Sequence, residues 1–400
     1  MGVVSMKGGD GEHSYANNSE AQKSITSDAK PEVMKSVNEM IVKMDFPGCI
    51  KVADLGCSSG ENTFLVMSEI VNTIITTYQQ NGQNLPEIDC CLNDLPENDF
   101  NTTFKLIPSF HEKLKMNVKG NCYVSGCPGS FYTRLFPSKS LHFVHSSFCL
   151  HWLSKVPDGL EENKKNVYLR SPCPPNLYES YWNQFKKDFS MFLRMRAEET
   201  MPSGRMALTL VGRKTLDPLS KECFKDWSLV SDSLLDLVSE VLTTVTLLNF
   251  FGNLKVLIVV IIIYWRSILS VQGVVKESDL ESFNLPYYSP DESEVKEVIE
   301  NEGSFEIKNF ETIFGLLFSY KTGHSEVKDD DDDVDHSRRF EVVKTRANMT
   351  RSIIEPMLVA HFGEAIIDRL FDKYIYHACQ RYDTLRNKPT VNFFVSLTRK

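Results

Sequence analysis

A mostly parallel α/β sheet with helices on both faces is the fold that this 400-residue sequence predicts. Three features predict it. Short apolar runs alternate with longer helical patterns through the first half of the chain, as in sheets whose parallel strands are joined by crossover helices. The first apolar run ends in an acid and a glycine-serine turn, Asp54-Leu55-Gly56-Cys57-Ser58-Ser59-Gly60, with a helical run directly behind it. A last strand-like segment, 391–397, returns after a long helical stretch.

The elements follow in order. After a polar start, 35–43 reads as a helix and 50–55 as a short buried strand. Thr63-Phe64-Leu65-Val66-Met67 opens a helical run that continues over 69–78. Residues 88–92, 122–126 and 141–145 are the second, third and fourth strands. In 178–199, Phe185, Phe189, Phe192 and Leu193 recur at the spacing of one helix face. Residues 206–212 are the fifth strand; past Arg213 the pattern turns helical over 226–240 and 292–301. A closing strand so far from its sheet implies a helical cap inserted before the sheet is complete. The expected division is an α/β core over 1–215, a helical cap with an intervening core strand over 216–385, and the final core strand over 386–400.

Composition bounds the function. With 42% hydrophobic and 24% charged residues, the chain is an ordinary globular protein of one or two domains. A net charge of −9 argues against nucleic acid, whose phosphates demand a basic face. The ten cysteines form no C-x-x-C pair and no zinc spacing, and several sit in apolar runs, where a reduced thiol acts as a small hydrophobe. The N-terminal stretch has no apolar signal core. A reducing cytosolic location with no membrane partner is expected. Five acids at 329–333 form a homopolymer, without the spaced ligands of a calcium loop, and read as a solvated loop.

The glycine turn carries the first chemical signal. Strand, glycine turn and helix receive an adenosine-containing cofactor at the carboxyl ends of an open sheet, and glycine lets backbone approach ligand where a Cβ would block it. Asp94, at the end of the next strand, offers a carboxylate to two ribose hydroxyls. A tight turn that binds nothing, or a dinucleotide site, would look similar. However, the G-x-G-x-x-G spacing is absent and no P-loop lysine follows. A cofactor without a pyrophosphate, such as S-adenosylmethionine, fits better.

Motifs spread over nearly the whole chain then converge. Near the N-terminus stand Met6-Lys7-Gly8-Gly9 and Ser14-Tyr15-Ala16-Asn17-Asn18-Ser19. Asn93-Asp94-Leu95-Pro96, Asn98-Asp99-Phe100-Asn101, Pro128-Gly129-Ser130-Phe131-Tyr132 and Leu135-Phe136-Pro137 follow the glycine turn. Next comes His145-Ser146-Ser147-Phe148-Cys149-Leu150-His151-Trp152-Leu153-Ser154, and later Ser282-Phe283-Asn284, Glu302-Gly303-Ser304-Phe305, Glu355-Pro356 and His361-Phe362-Gly363-Glu364. In this order they resemble the plant salicylate/benzoate/theobromine type of S-adenosylmethionine-dependent carboxyl methyltransferase, most of all its benzoate/salicylate and farnesoate branch. The resemblance implies a Rossmann-like methyltransferase fold with a helical cap over the site, and a homodimer.

It also implies roles. The methyl donor is expected against Tyr15, Cys57, Asn62, Asp94, Leu95, Ser130 and Phe131, and the acid substrate against Tyr15, Gln22, Phe148, His151 and Trp152. Gln22, His151 and Trp152 would orient the carboxylate, since amide and indole N–H groups suit its acceptor-only oxygens. Taken singly, Phe131 and Trp152 read as core aromatics, Asp94 as a turn cap and His151 as a satisfied core histidine. No general base is expected, because a carboxylate is already ionised at neutral pH. Some relatives bind magnesium at an Asn and an acid-x-Phe-Asn element. The corresponding positions are Asn163 and Glu281, Phe283 and Asn284, with Glu in place of the usual Asp and a structural role as the competing reading. Phe148 stands where Tyr is common, Asp226 where an apolar residue often faces the acyl pocket, and Thr350 where another apolar residue is found.

The expected reaction is methyl transfer to the carboxylate of a small acid, benzoate or salicylate first, then farnesoate or jasmonate. N-methylation of a xanthine and a non-catalytic binding protein are the alternatives. One segment, 241–272, breaks the family pattern: without it, Glu240 joins Gly273 and the family's helix is restored. Its uninterrupted apolar run, 256–265, is shorter than the about 20 residues of a membrane span. A functional lid is another reading. Every Val codon begins GT and Gln can be encoded by CAG, so Val241 and Gln272 fit splice borders, and the segment reads as a translated intron.

Overall fold

The computed structural model describes residues 5–114, 122–170, 172–214, 225–251, 275–316, 332–386 and 389–400; within these, the side chains at 225–226, 241–251, 332–336 and 385 are not described. Seven strands form one sheet: β1 (Cys49–Leu55), β2 (Glu87–Asp94), β3 (Cys122–Pro128), β4 (Leu141–Ser147), β5 (Thr200–Gly212), β6 (Phe305–Leu316) and β7 (Pro389–Arg399). Their order is β3-β2-β1-β4-β5-β7-β6. The first five are mutually parallel, and β7 runs antiparallel between β5 and β6. The helices are α1 (Glu20–Lys43), α2 (Asn62–Gln80), α3 (Phe100–Phe104), α4 (Ile107–Lys113), α5 (Pro175–Glu199), α6 (Lys225–Phe251), α7 (Glu277–Ser282), α8 (Glu292–Glu302), α9 (Asp332–Phe362), α10 (Ile367–Gln380) and α11 (Tyr382–Leu385).

Strand alternation sorts the core onto two faces. Val52, Cys90, Leu92 and Phe143 pack with the apolar faces of α1 and α2. Ala53, Leu55, Val144, Met206 and Leu208 pack with α5, and this core runs on without a break into Ile354, Leu358, Leu370 and Tyr374 of the cap. The chain therefore leaves the sheet after β5, builds α6 to α8, returns as β6, leaves again for α9 to α11, and closes with β7 between its two neighbours. Capping follows the chemistry of helix ends: Asp291 and Glu294 form a reciprocal capping box on α8, and Gly303 ends it at φ 81°.

The helix expected over 35–43 begins at Glu20, so α1 passes through Pro31. Proline normally marks a boundary; here the buried face of Ile25, Ala29, Val33 and Val37 carries the helix across it. Strand β5 starts at Thr200, earlier than its apolar run, because its first residues pair in a shifted register with β4. The intervening core strand is β6, whose alternating polar residues disguised it. The acidic run at 329–333 lies largely outside the described residues, as does most of the 241–272 segment; α6 extends through that segment's first turns to Phe251. Among the described residues no helix is long and apolar enough to cross a membrane.

Candidate active site

The chain reverses its direction of travel across the sheet between β1 and β4, and open α/β sheets bind ligands outside the carboxyl ends at such a switch point. A cavity of about 200 Å³ lies there, bordered by Gly56, Ser58, Asp94, Leu95, Ser130 to Tyr132, Ser147 to Cys149 and Trp152 to Ser154. Ser5, Met6 and Tyr15 also border it.

On one side of it three strand ends are laced by the pair Asn93–Asp94. The carbonyl of Asn93 accepts the amides of Gly56 and Cys57 at 2.8 and 2.9 Å. Its side-chain amide donates to the carbonyls of Cys127 and Gly129 at 2.7 and 2.9 Å. The Asp94 carboxylate accepts the amides of Ser58 and Leu95, both at 2.7 Å. Burial pushes this carboxyl up to about 6 against the pull of the two amides, with Asp54 adding to the rise. Asp54 itself is structural: one oxygen accepts from Thr63 at 2.6 Å and the other meets His145 at 2.7 Å.

The glycine turn is tight. Gly56 has φ 80°, and a Cβ there would fall 2.1 Å from Cys149 Sγ; a Cβ on Gly60, at φ 103°, would strike the backbone of Ala16. Ser58 and Phe148 hold φ of 50° and 59°. Left-handed backbone at a bulky residue costs about 1–3 kcal/mol and gathers at functional sites. The buried hydroxyl of Ser58, on the cavity wall, has no hydrogen-bond partner among the described residues. An orphaned donor beside a partly exposed carboxylate and the ring of Phe131 suits a polar, adenosine-bearing ligand.

On the other side stands an aromatic box. Trp152 packs edge-on against Trp227 and Tyr287 at 6.1 and 5.3 Å, and Tyr287 meets His151 at 5.2 Å. The amide of Tyr288 donates to the His151 carbonyl and that of Leu153 to the Pro286 carbonyl, so the segment after α7 holds the His-Trp pair from the cap side. His151 is buried, which pushes its pKa down to about 3, and its Nδ1 accepts the amide of Val211 at 3.4 Å. The ring is therefore neutral with its proton on Nε2.

The predicted residues come together unevenly. Tyr15, Asp94, Leu95, Ser130, Phe131, Phe148 and Trp152 border the cavity. His151 does not border it; its ring packs against that of Trp152 at 5.6 Å. Gln22, one turn before Thr26 whose hydroxyl meets that of Ser147 at 3.1 Å, does not border the cavity, and its buried Oε1 has no partner among the described residues. Cys57 is buried in the core on the α1–α2 face of the sheet and does not border the cavity. Asn62 donates to the carbonyl and hydroxyl of Ser19 and borders a second cavity, of about 210 Å³, between those helices. Met6, Ser58, Tyr132 and Cys149 also border the cavity; the sequence motifs contain them but assign them no role. The N-terminal strap reaches it because Lys7 donates its amide to Ser352 of α9 and pairs with Glu355, while Gly9 donates to Asp99.

Of the magnesium set, the structure brings Asn163 and Asn284 side by side. The side-chain amide of Asn163 donates to Asn284 Oδ1 at 2.6 Å and to the Asn166 carbonyl at 3.2 Å, both asparagines being buried. Phe283 is buried against His361 and Phe362, and Glu281 is half-buried at the end of α7. The Asn284 side-chain oxygen is thus engaged by the Asn163 amide. Among the described residues no group of three or more His, Cys, Asp or Glu is placed to hold a metal.

The family described as SAM dependent carboxyl methyltransferase matches residues 1–257 and 253–400. The chain belongs to this family. The two matched stretches meet inside the 241–272 segment. The chain is 49% identical to a salicylate/benzoate carboxyl methyltransferase of Arabidopsis thaliana over 399 residues, covering 100% of this chain and 93% of the relative. It is 38% identical to a benzoic acid/salicylic acid carboxyl methyltransferase of Petunia hybrida, over 99% of this chain and 98% of the relative. In structure it is similar to a loganic acid methyltransferase with SAH, at TM-score 0.78 and 29% identity, covering 99% of this chain and 98% of that one. S-adenosylmethionine is thus the methyl donor of this carboxyl methyltransferase.

The side chain of Asp226 lies outside the described residues. Thr350 is buried with its hydroxyl 3.2 Å from that of Tyr374, so within the cap it is a paired polar group.

Proposed function

We propose that the protein methylates the carboxylate of a small aromatic acid, benzoate or salicylate first, with farnesoate or jasmonate as the next candidates. The observation that carries this reading is one cavity with the Asp94 carboxylate on its donor side and the His151–Trp152 box on the other. Asp94 would accept the ribose hydroxyls, Phe131 would lie against the adenine and Ser130 at its edge. The donor supplies an electrophilic methyl on a sulfonium. The indole N–H of Trp152, the Nε2–H of His151 and the amide of Gln22 would hold the acid's two oxygens, and their task is orientation. Positioning of this kind contributes about 7–11 kcal/mol in well-aligned reactions. A neutral His151 is what the chemistry needs: it donates to an anion and takes no proton from a substrate that is already ionised. The flat ring of Trp152 on the cavity wall, backed by Trp227 and Tyr287, favours a ring over a flexible chain.

A xanthine would need a ring nitrogen as nucleophile, and the N–H donors of Gln22 and Trp152 favour a carboxylate, whose oxygens only accept. A panel of benzoate, salicylate, farnesoate, jasmonate and a xanthine with labelled donor tests the reading. Turnover of the xanthine alone would overturn it. In the same proposal the enzyme is a cytosolic homodimer with Asn163 and Asn284 in a structural role. The 241–272 segment is a translated intron interrupting α6, and the helical cap with its intervening core strand spans 216–385.

A further inference from the structure

The loop that follows β3 has no regular secondary structure, yet its front face supplies Ser130, Phe131 and Tyr132 to the cavity. Something must fix it. Behind it, at the last turn of α5, Arg196 and Glu199 form an ion pair at 2.8 Å, and both side chains are 0% exposed. Arg196 Nη1 donates to the Phe131 carbonyl at 2.9 Å and Nη2 to the Thr133 carbonyl at 3.0 Å. Glu199 Oε1 accepts the amides of Leu135 and Phe136 at 2.6 and 3.0 Å. One buried pair thereby satisfies two carbonyls and two amides of 131–136, six residues that no strand or helix pairs.

A buried ion pair gives little net stability, since desolvation offsets the attraction, and apolar replacements are often neutral. Stability is therefore a poor reason for this one; geometry is a better reason. Phe192, one turn before Arg196 on α5, meets Phe131 edge-on at 5.8 Å with the guanidinium over its ring at 5.4 Å. The same loop reaches the acid side: the Tyr132 hydroxyl donates to the Trp152 carbonyl at 2.6 Å. Residues 130 and 131 face the donor while 132 holds the backbone of the carboxylate reader.

We propose that Arg196 and Glu199 are positioning residues that set the adenine wall and the carboxylate clamp in register, with Tyr132 as the link between them. This rests on Phe131 as a donor contact and Trp152 as an acid contact. Methyl transfer needs the two substrates aligned within fractions of an ångström, and a displacement of about 1 Å can cost about 100-fold in rate.

The test is Arg196→Lys, whose ammonium cannot span two carbonyls and a carboxylate in the fixed fork of a guanidinium. Kinetics are measured well below the variant's Tm, where partial unfolding would lower kcat by loss of active protein but leave KM unchanged. The expected result is a donor KM raised about fivefold or more and kcat lowered about tenfold. Tyr132→Phe, which spares the ion pair, should lower kcat about threefold or more with donor affinity unchanged. A folded Arg196→Lys with wild-type donor KM and kcat overturns the proposal, provided that Phe131→Ala is impaired. If Phe131→Ala binds donor normally, the donor-site assignment has failed instead. Should Arg196→Lys not fold, the apolar double variant Arg196→Met, Glu199→Met takes its place with the same two outcomes. If neither folds, Tyr132→Phe decides: unchanged kcat removes the link.

Discussion

Asp94 at the end of β2 accepts the backbone amide of Ser58 in the glycine turn after β1, at 2.7 Å. The residue read as the ribose acceptor is thus also the residue that shapes the turn beside it. Asp94→Ala should weaken S-adenosylmethionine binding by roughly 10- to 150-fold, because hydrogen bonds to a charged group are worth about 1.5–3 kcal/mol. Calorimetric titration of the folded variant checks this, and unchanged affinity would sink the assignment.

The raised pKa of Asp94 gives two opposite pH dependences. Folding favours its protonated form, so this group's stabilising contribution is complete below 3.8 and fades as pH rises through about 6. Donor binding needs the anion, to accept hydroxyls and face a cationic sulfonium, and should weaken as pH falls through about 6. A donor Kd that is flat from pH 5 to 8 contradicts the second statement.

Trp152→Phe keeps a ring in the box and deletes the N–H. An unpaired carboxylate oxygen should cost about 1–3 kcal/mol in kcat/KM for the acid, with donor Kd unchanged. Equal losses in both would make Trp152 a packing residue only. Because burial holds the pKa of His151 near 3, kcat at saturating substrates should show no histidine ionisation between pH 6.5 and 9; a limb near the ordinary histidine value would show that the ring titrates.

The clasp of Asn163 on Asn284 predicts indifference to metal. Dialysis against EDTA should leave kcat within about twofold, whereas Asn284→Ala should lower stability by about 1–3 kcal/mol, the cost of an unpaired buried amide. Activity that vanishes with EDTA and returns with magnesium would restore the cation reading.

Deletion of 241–272 should give a protein that is more soluble and at least as active, since a translated apolar segment is an aggregation liability. The two stretches of the family match meet inside this segment, and Glu240, just before it, pairs with Arg369 and Lys373 of α10 at 2.6 Å. The deletion therefore keeps the anchored part of α6. Transcripts lacking the segment are expected; loss of activity on deletion would instead make it a working lid.

Local sequence was enough for the strands β1 to β5 and β7, for the glycine turn and for Asp94, because apolar runs and turn glycines act over a few residues. It also carried the family, through motifs in fixed order. What it could not fix were relations across the chain. Pro31 reads locally as a boundary, yet burial of Ile25, Ala29 and Val33 against α2 and the sheet carries α1 through it. The polar alternation of β6 has no partner until β7 arrives from the far end. The cavity joins Met6, Ser58, Tyr132, Cys149 and Trp152, brought together by strand order and by an N-terminal strap tied to α9 and α3. Asn163 and Asn284, a metal pattern in sequence, meet as a hydrogen-bonded pair because the fold buries them face to face. A buried polar group takes whichever partner the packing supplies, and only the tertiary structure names that partner.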